Sequence, residues 1–307
     1  MVSSAAWYPV DTGLFLTSGL DSRLLMWDTA TTTIAEEVSW SEKVIYCAVP
    51  SPAVSKHSLV AVGSSDPRVR LYDMASGAHA HTLVGHRHSV TAACWSPVTT
   101  NVLVTGSGDR TIRVWDVRKS GDAACLGTLD VHRGAHEEGS AGAGHTARAG
   151  YAHTGVVTSV HFVDGSDGRI LVSSGADSFM RAWDVVDHVH KFTNFHDVVN
   201  TQSKGMTLAS MSTGPAAEEA LVFHPNSDGV VVACDLQTGA TKAHLRGHYS
   251  CANACSVRRS TQQLVSGGDD GSVLVWTPRF PRRGPVRPEV AADSAWADDW
   301  EDVVVVE

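Results

Sequence analysis

Six times along the chain an aspartate is followed, seven residues later, by the position just after an aromatic residue or its replacement: Asp21 and Asp28, Asp66 and Asp73, Asp109 and Asp116, Asp177 and Asp184, Asp228 and Asp235, Asp270 and Thr277. Such a frame constrains the fold strongly, because each unit is then one supersecondary piece that buries its faces against its neighbours. Between the paired positions run SRLLMW, PRVRLY, RTIRVW and GSVLVW, which read as half-buried strands. The leading aspartate falls in a tight turn, and Asp228-Gly229 and Asp270-Gly271 are hairpin dipeptides. The expectation is an all-β chain of short antiparallel strands.

Three units carry two further polar residues upstream at matching offsets. His86, Thr105, Asp109 and Trp115 form one set, His153, Ser173, Asp177 and Trp183 a second, and His248, Ser266, Asp270 and Trp276 a third. With its Gly-His opening and Trp-Asp close, VGHRHSV…VLVTGSGDRTIRVWD resembles the WD-repeat family. The resemblance implies a WD40 β-propeller in which each set is a hydrogen-bonded chain inside one four-stranded blade, running from Trp to Ser or Thr to His to Asp. A Ser-His-Asp set would also suit a nucleophilic hydrolase, but a triad needs one site, and repeated copies fit a structural lock. The second unit has Val62 and Tyr72 at the lock positions and the fifth has His224 and Cys234, so those blades are expected to rely on apolar packing.

The closing positions Trp27, Tyr72, Trp115, Trp183, Cys234 and Trp276 lie 45, 43, 68, 51 and 42 residues apart. The repeats are bounded at about 1–31, 32–80, 81–124, 125–189, 190–243 and 244–280. The long interval holds a Gly-, Ala- and His-rich insertion at 132–152, expected to be flexible. His132, His136, His145 and His153 are irregularly spaced and lack a thiolate or carboxylate set, so no metal site is expected. The six cysteines form no CxxC pair and read as small buried hydrophobes. A net charge of −9 argues against a phosphate backbone as main partner. No run approaches the ~20 apolar residues of a membrane helix, the N-terminus lacks the order of a secretory signal, and the chain reads as intracellular. Residues 281–307, Pro/Arg-rich and then acidic, are expected to be a disordered tail. Six blades are visible where seven are common in the family, and the chain starts directly on an inner strand. It is therefore read as N-terminally short, lacking the first blade and the strand that closes the ring. The competing reading is a six-bladed ring closed by EDVVVVE.

Longer stretches outside the shared repeat pattern, WYPVDTGLFLTSGLDSRLLMWDT, SPAVSKHSLVAVGSSDPRVRLYDMASG, LVGHRHSVTAACWSP and LRGHYSCANACSV, resemble the Cockayne syndrome group A branch of the WD-repeat family. That resemblance implies a nuclear, non-catalytic substrate receptor of a cullin-4 ubiquitin ligase in transcription-coupled nucleotide excision repair, without cofactor. It implies an adaptor of the damaged-DNA-binding protein 1 type, and as clients a Cockayne syndrome group B type ATPase and stalled RNA polymerase II. The adaptor motif of such receptors looks like Trp-Asp-x-Arg, and only Trp115, Asp116 and Arg118 satisfy it. Trp115 is expected inside the blade, with Asp116 and Arg118 making the contacts. The opposite end, with its Gly-His loops and Asp turns, offers Arg87, Arg110 and Tyr249 as candidate client contacts. A general WD-repeat scaffold is the alternative, and a propeller enzyme a more remote one.

Overall fold

A computed structural model of the 307-residue chain describes residues 2–39, 43–132, 150–191, 193–203, 205–212, 220–277 and 303–306. The chain is all-β and folds as six WD-type propeller blades, each a four-stranded antiparallel sheet whose strands pair in sequence order. Two compact units contain them: blades 1 to 4 (2–39, 45–83, 90–129 and 157–190) in the first, blades 5 and 6 (209–246 and 252–306) in the second.

The sheets do not coincide with the repeats read from the sequence: each blade's last strand crosses or lies beyond its repeat's end. The first repeat ends at about 31, yet its sheet continues into Thr33–Ser39, which pairs with Arg23–Asp28. Cys125–Leu129 likewise opens the fourth repeat but completes blade 3. Each repeat therefore begins inside the preceding sheet, and this offset staples consecutive blades covalently.

Alternation along a strand sends neighbouring side chains to opposite faces, and in the inner blades both faces are covered. In blade 3, Leu103 and Trp115 pack with Leu59, Ala61 and Leu71 of blade 2. One residue along, Val104, Ile112 and Val114 pack with Val157, Phe162, Leu171 and Trp183 of blade 4. The strands expected to be half-buried, Arg23–Asp28, Val69–Asp73, Ile112–Asp116 and Val273–Trp276, keep partly exposed positions among buried ones, whereas all six residues of Leu59–Ser64, Ile170–Gly175 and Ala220–Pro225 are buried. In the second unit, Phe223, Val231 and Leu245 of blade 5 meet Ala252, Leu264 and Trp276 of blade 6.

Blades approach so closely that one position tolerates no side chain. A Cβ on Gly106 would lie 2.5 Å from Val157 Cγ1 and 3.4 Å from Val160 Cγ1. Gly106→Ala is expected to cost about 1–3 kcal/mol, read as a lower denaturant midpoint at unchanged slope. A midpoint equal to that of the unmodified protein would show that blades 3 and 4 can slide apart freely.

The expected absence of a fourth strand in the last blade is corrected. Val303–Val306 pairs antiparallel with Val273–Trp276, in register from Val273 opposite Val306 to Trp276 opposite Val303. Consecutive β-branched residues suit an added strand, so at these four positions the tail is ordered sheet and blade 6 is complete. The rest of the tail and residues 133–149 of the insertion lie outside the described residues. The ends of that insertion are pinned: Val131 N–H donates to the Tyr151 carbonyl (3.1 Å), and Ala152 N–H to the Arg110 carbonyl (3.0 Å).

Candidate functional site

The three locks differ in how their aspartates are completed. In blade 3 the Trp115 indole N–H donates to Thr105 Oγ1 (2.7 Å), Thr105 lies 2.8 Å from His86 Nε2, and His86 Nδ1 lies 3.0 Å from Asp109 Oδ2. Only one assignment satisfies every group: the hydroxyl, already accepting from the indole, donates to Nε2, which leaves Nδ1–H to donate to the carboxylate. The same chain of contacts runs in blade 4 from Trp183 through Ser173 and His153 to Asp177, where Arg181 Nη1 also lies 2.7 Å from His153 Nδ1, and in blade 6 from Trp276 through Ser266 and His248 to Asp270. Thr111 also bonds Asp109 in blade 3, Arg181 bonds Asp177 in blade 4, and the Ser272 amide caps Asp270 in blade 6.

Burial holds His86 and His153 below the ordinary histidine range, against the pull of their aspartates. Burial also pushes Asp109 upward, but hydrogen bonds from His86, Thr111 and the Arg87 amide outweigh it and leave the carboxyl well below the usual carboxylate range. Asp177 follows the same balance through His153 and the Thr154 amide. Ser173 is fully buried and accepts the Trp183 indole N–H, so it is spent within the blade instead of facing a substrate.

Two elements of the lock escaped the sequence reading. Trp27 donates its indole N–H to Thr17 Oγ1 (2.8 Å) in blade 1, a partial lock signalled by the same ten-residue offset that links Trp115 to Thr105. In blade 2 the Tyr72 hydroxyl donates to Glu36 Oε1 (2.7 Å), which ties blade 2 to the outer strand of blade 1. In blade 5, His224 lies buried with Nδ1 2.7 Å from Asn226 Oδ1, and burial pushes its pKa down to about 4.

At the Trp-Asp end of blade 3, Trp115 is wholly buried, as expected. The Asp116 side chain is also buried, at 6% exposure, with both oxygens accepting from its own chain. Arg118 donates from Nε to Asp116 Oδ1 (2.9 Å) and from Nη2 to Oδ2 (2.7 Å), and its backbone N–H donates to Oδ1 (3.1 Å). The hydrogen bonds from Arg118 hold the Asp116 carboxyl below the usual range. The guanidinium itself remains 68% exposed. A planar group is thus clamped along one edge by a buried carboxylate, while its remaining N–H groups and its face are open.

At the opposite end of blade 3, Arg87 and Arg110 come together. The Arg87 amide donates to Asp109 Oδ2 (2.9 Å), leaving the side chain exposed. Arg110 sits in the same turn with φ of 71°, where the sister turns of blades 5 and 6 have Gly229 and Gly271. Its guanidinium lies 4.2 Å from the centre of the Tyr151 ring, a cation–π contact. Tyr249 belongs to the second unit, at the Asp-turn end of blade 6, and is 98% exposed. None of the six cysteines is in a disulfide, and no cluster of three metal-ligating side chains occurs among the described residues.

The WD domain, G-beta repeat family matches residues 77–116, 146–184 and 239–277, each ending at the close of a complete lock. The chain is 32% identical, over 98% of its length and 77% of the relative's, to the WD repeat-containing protein ATCSA-1 of Arabidopsis thaliana. The chain belongs to the WD-repeat family. Other members are similar over smaller shares: the DDB1- and CUL4-associated factor 11 homolog of Caenorhabditis elegans is 24% identical over 79% of this chain and 45% of its own length. The nuclear distribution protein PAC1 of Arthroderma otae is 30% identical over 71% and 46%. Proteins with such different names are all similar to this chain, so the likeness alone does not select a role.

Proposed function

We propose that the chain is a nuclear substrate receptor of a cullin-4 ubiquitin ligase acting in transcription-coupled excision repair. It docks an adaptor of the damaged-DNA-binding protein 1 type at the Trp-Asp end of blade 3 and presents a client at the Asp-turn end. The observation that carries the reading is the Arg118 clamp. An ion pair with its arginine two-thirds exposed contributes little to stability, whereas an oriented guanidinium is well suited to a partner's carboxylates or backbone carbonyls. The likeness to ATCSA-1 over nearly the whole chain supports the reading, as does the more distant likeness to a protein named for association with DDB1 and CUL4. The clients are a Cockayne syndrome group B type ATPase and stalled RNA polymerase II, with Arg87, Arg110 and Tyr249 as the contacts to test.

No chemistry is required of the protein in this role. It supplies a fixed distance between surfaces at the two ends of blade 3, which that blade's complete lock stiffens. Arg118→Ala is expected to weaken capture of the purified adaptor at least about tenfold with no change in melting temperature. Equal affinity of the variant and the unmodified protein in a titration by biolayer interferometry would overturn the docking assignment.

A further inference from the structure

The aspartate closing the Trp-Asp pair has a different company in each blade. In blade 1, Asp28 caps the amides of Ala30 and Thr31. In blade 2, Asp73 accepts from the hydroxyls of Ser58 and Ser76. In blade 5, Asp235 caps Gln237 and Thr238, with Lys242 Nζ at 3.9 Å. Among the described residues only blades 3 and 4 hold an arginine on this carboxylate, and those two blades are neighbours that share one core.

Blade 4 builds its clamp by another route. The position matching Arg118 is Val186, and the arginine comes instead from Arg169, which lies just before the strand Ile170–Gly175, whose first residue pairs with Asp184. Arg169 donates from Nε to Asp184 Oδ2 (2.5 Å) and from Nη2 to Asp187 Oδ2 (2.6 Å). Asp184 Oδ1 meanwhile caps the amides of Val186 and Asp187, much as Asp116 caps Arg118. The Asp184 side chain is 11% exposed and that of Arg169 is 56% exposed, which repeats the blade 3 pattern of a buried anchor under an open guanidinium. Burial raises the Asp184 carboxyl, yet the bond and charge of Arg169 together with the amides of Asp187 and Val186 outweigh it and hold the group low.

Apolar surface accompanies the two cations. Val98, in the loop joining the first two strands of blade 3, and Val186, beside Asp184, are both exposed. Val98 stands next to the Arg169 segment, because a Cβ on Gly168 would lie 3.6 Å from Val98 Cβ and 2.8 Å from Ser96 Oγ. Exposed valines flanked by oriented arginines have the make-up of a protein interface, with an apolar centre and Arg anchors. A phosphate backbone would leave the valines uncovered, and the chain's net charge of −9 opposes it.

We propose that Arg169 is a second docking residue. With Arg118 it grips one protein partner whose carboxylates or backbone carbonyls flank an apolar patch seated on Val98 and Val186. This rests on the docking role assigned to Arg118 above and extends it to a blade where no Trp-Asp-x-Arg motif exists. A two-point grip fixes the partner's rotation about the blade, which one arginine cannot do.

The test is a titration of the full chain with purified adaptor, comparing Arg118→Ala, Arg169→Ala, Arg169→Lys and the Arg118→Ala/Arg169→Ala double variant, each with a thermal melt. Arg169→Ala is expected to weaken binding about tenfold at an unchanged melting temperature, Arg169→Lys to recover only part of the loss, and the double variant to bind more weakly than either single one. If Arg118→Ala weakens binding while Arg169→Ala binds like the unmodified protein, the second docking residue is wrong and the blade 3 reading stands. A lower melting temperature for Arg169→Ala at unchanged affinity overturns the proposal as well, since Arg169 would then be a structural staple. If neither substitution alters affinity, the docking end itself is wrongly assigned. A 20-base-pair duplex is titrated in parallel; loss of duplex binding on Arg169→Ala with adaptor binding intact would replace the protein partner with a nucleic acid and overturn the proposal.

Discussion

Trp115→Ala is expected to destabilise the protein by about 3–5 kcal/mol, the largest single-residue effect we anticipate. Three losses coincide at this residue. The ring is completely buried in the core between blades 2 and 3, so its removal leaves a cavity lined by Leu71, Leu83 and Leu103. The indole N–H that satisfies Thr105 disappears, and the chain through His86 to Asp109 loses its outer member. The ring also seats the backbone at Gly85, where a Cβ would lie 3.0 Å from its Cη2. Equilibrium unfolding in urea measures the sum as a lower midpoint at unchanged slope. Trp115→Phe separates the terms, because it keeps most of the apolar contact and deletes only the donor; a residual cost of about 1–3 kcal/mol is then that of a buried hydroxyl oxygen left without its donor. A loss below about 1 kcal/mol for Trp115→Ala would mean that the blade is held by its strand ladder and not by the lock.

Acidification from pH 7 to 4 should destabilise the protein, through its histidines before its carboxylates. Burial pushes His190 and His224 down to about 4, and holds His86 and His153 below the ordinary range. The unfolded chain takes up protons on these residues near pH 6.5 while the native chain does not. Their stabilising contribution is therefore complete above pH 6.5 and is lost as the pH falls toward 4. For His224, fully buried in blade 5, a fall from 6.5 to about 4 corresponds to about 3 kcal/mol. Asp109, Asp177 and Asp270 are held low in the folded state, so their contribution is intact above about pH 4 and fails only below it. Unfolding free energies measured at intervals between pH 7.5 and 4.5 should fall steadily, and His224→Asn should flatten that slope. A pH-independent free energy across this window would show that the histidines titrate normally in the fold, and the NMR titration of the His224 imidazole would check the same point directly.

The locks were legible because they are local. Thr105 and Trp115 stand ten residues apart on two strands joined by one tight turn, so antiparallel pairing fixes their separation and a constant offset recurs in the sequence. The partial lock of Thr17 and Trp27 obeys the same offset and was open to the same reading. The offset between each repeat and its sheet was not legible, since a repeat records where the pattern recurs and not which neighbour a strand pairs with. The Arg118 motif was visible, but not the direction of its fork: only the side-chain geometry shows Asp116 turned inward as an anchor.

Arg169 had no signature at all. It reaches Asp184 across 15 residues from the loop just before a neighbouring strand, and no spacing rule marks a contact that depends on how a loop leaves a sheet end. The last strand had only half a signature. Its four valines favour a strand wherever they find an edge, but the edge they found lies 27 residues before Val303, at Trp276. The sequence by itself thus determined the repeat, the all-β class and the locks, because those follow from side-chain alternation and short-range pairing. The tertiary structure alone decided which strand completes the last blade and which arginines stand clamped at the Trp-Asp end, because both are long-range pairings whose partners the chain brings together only after the blades have packed.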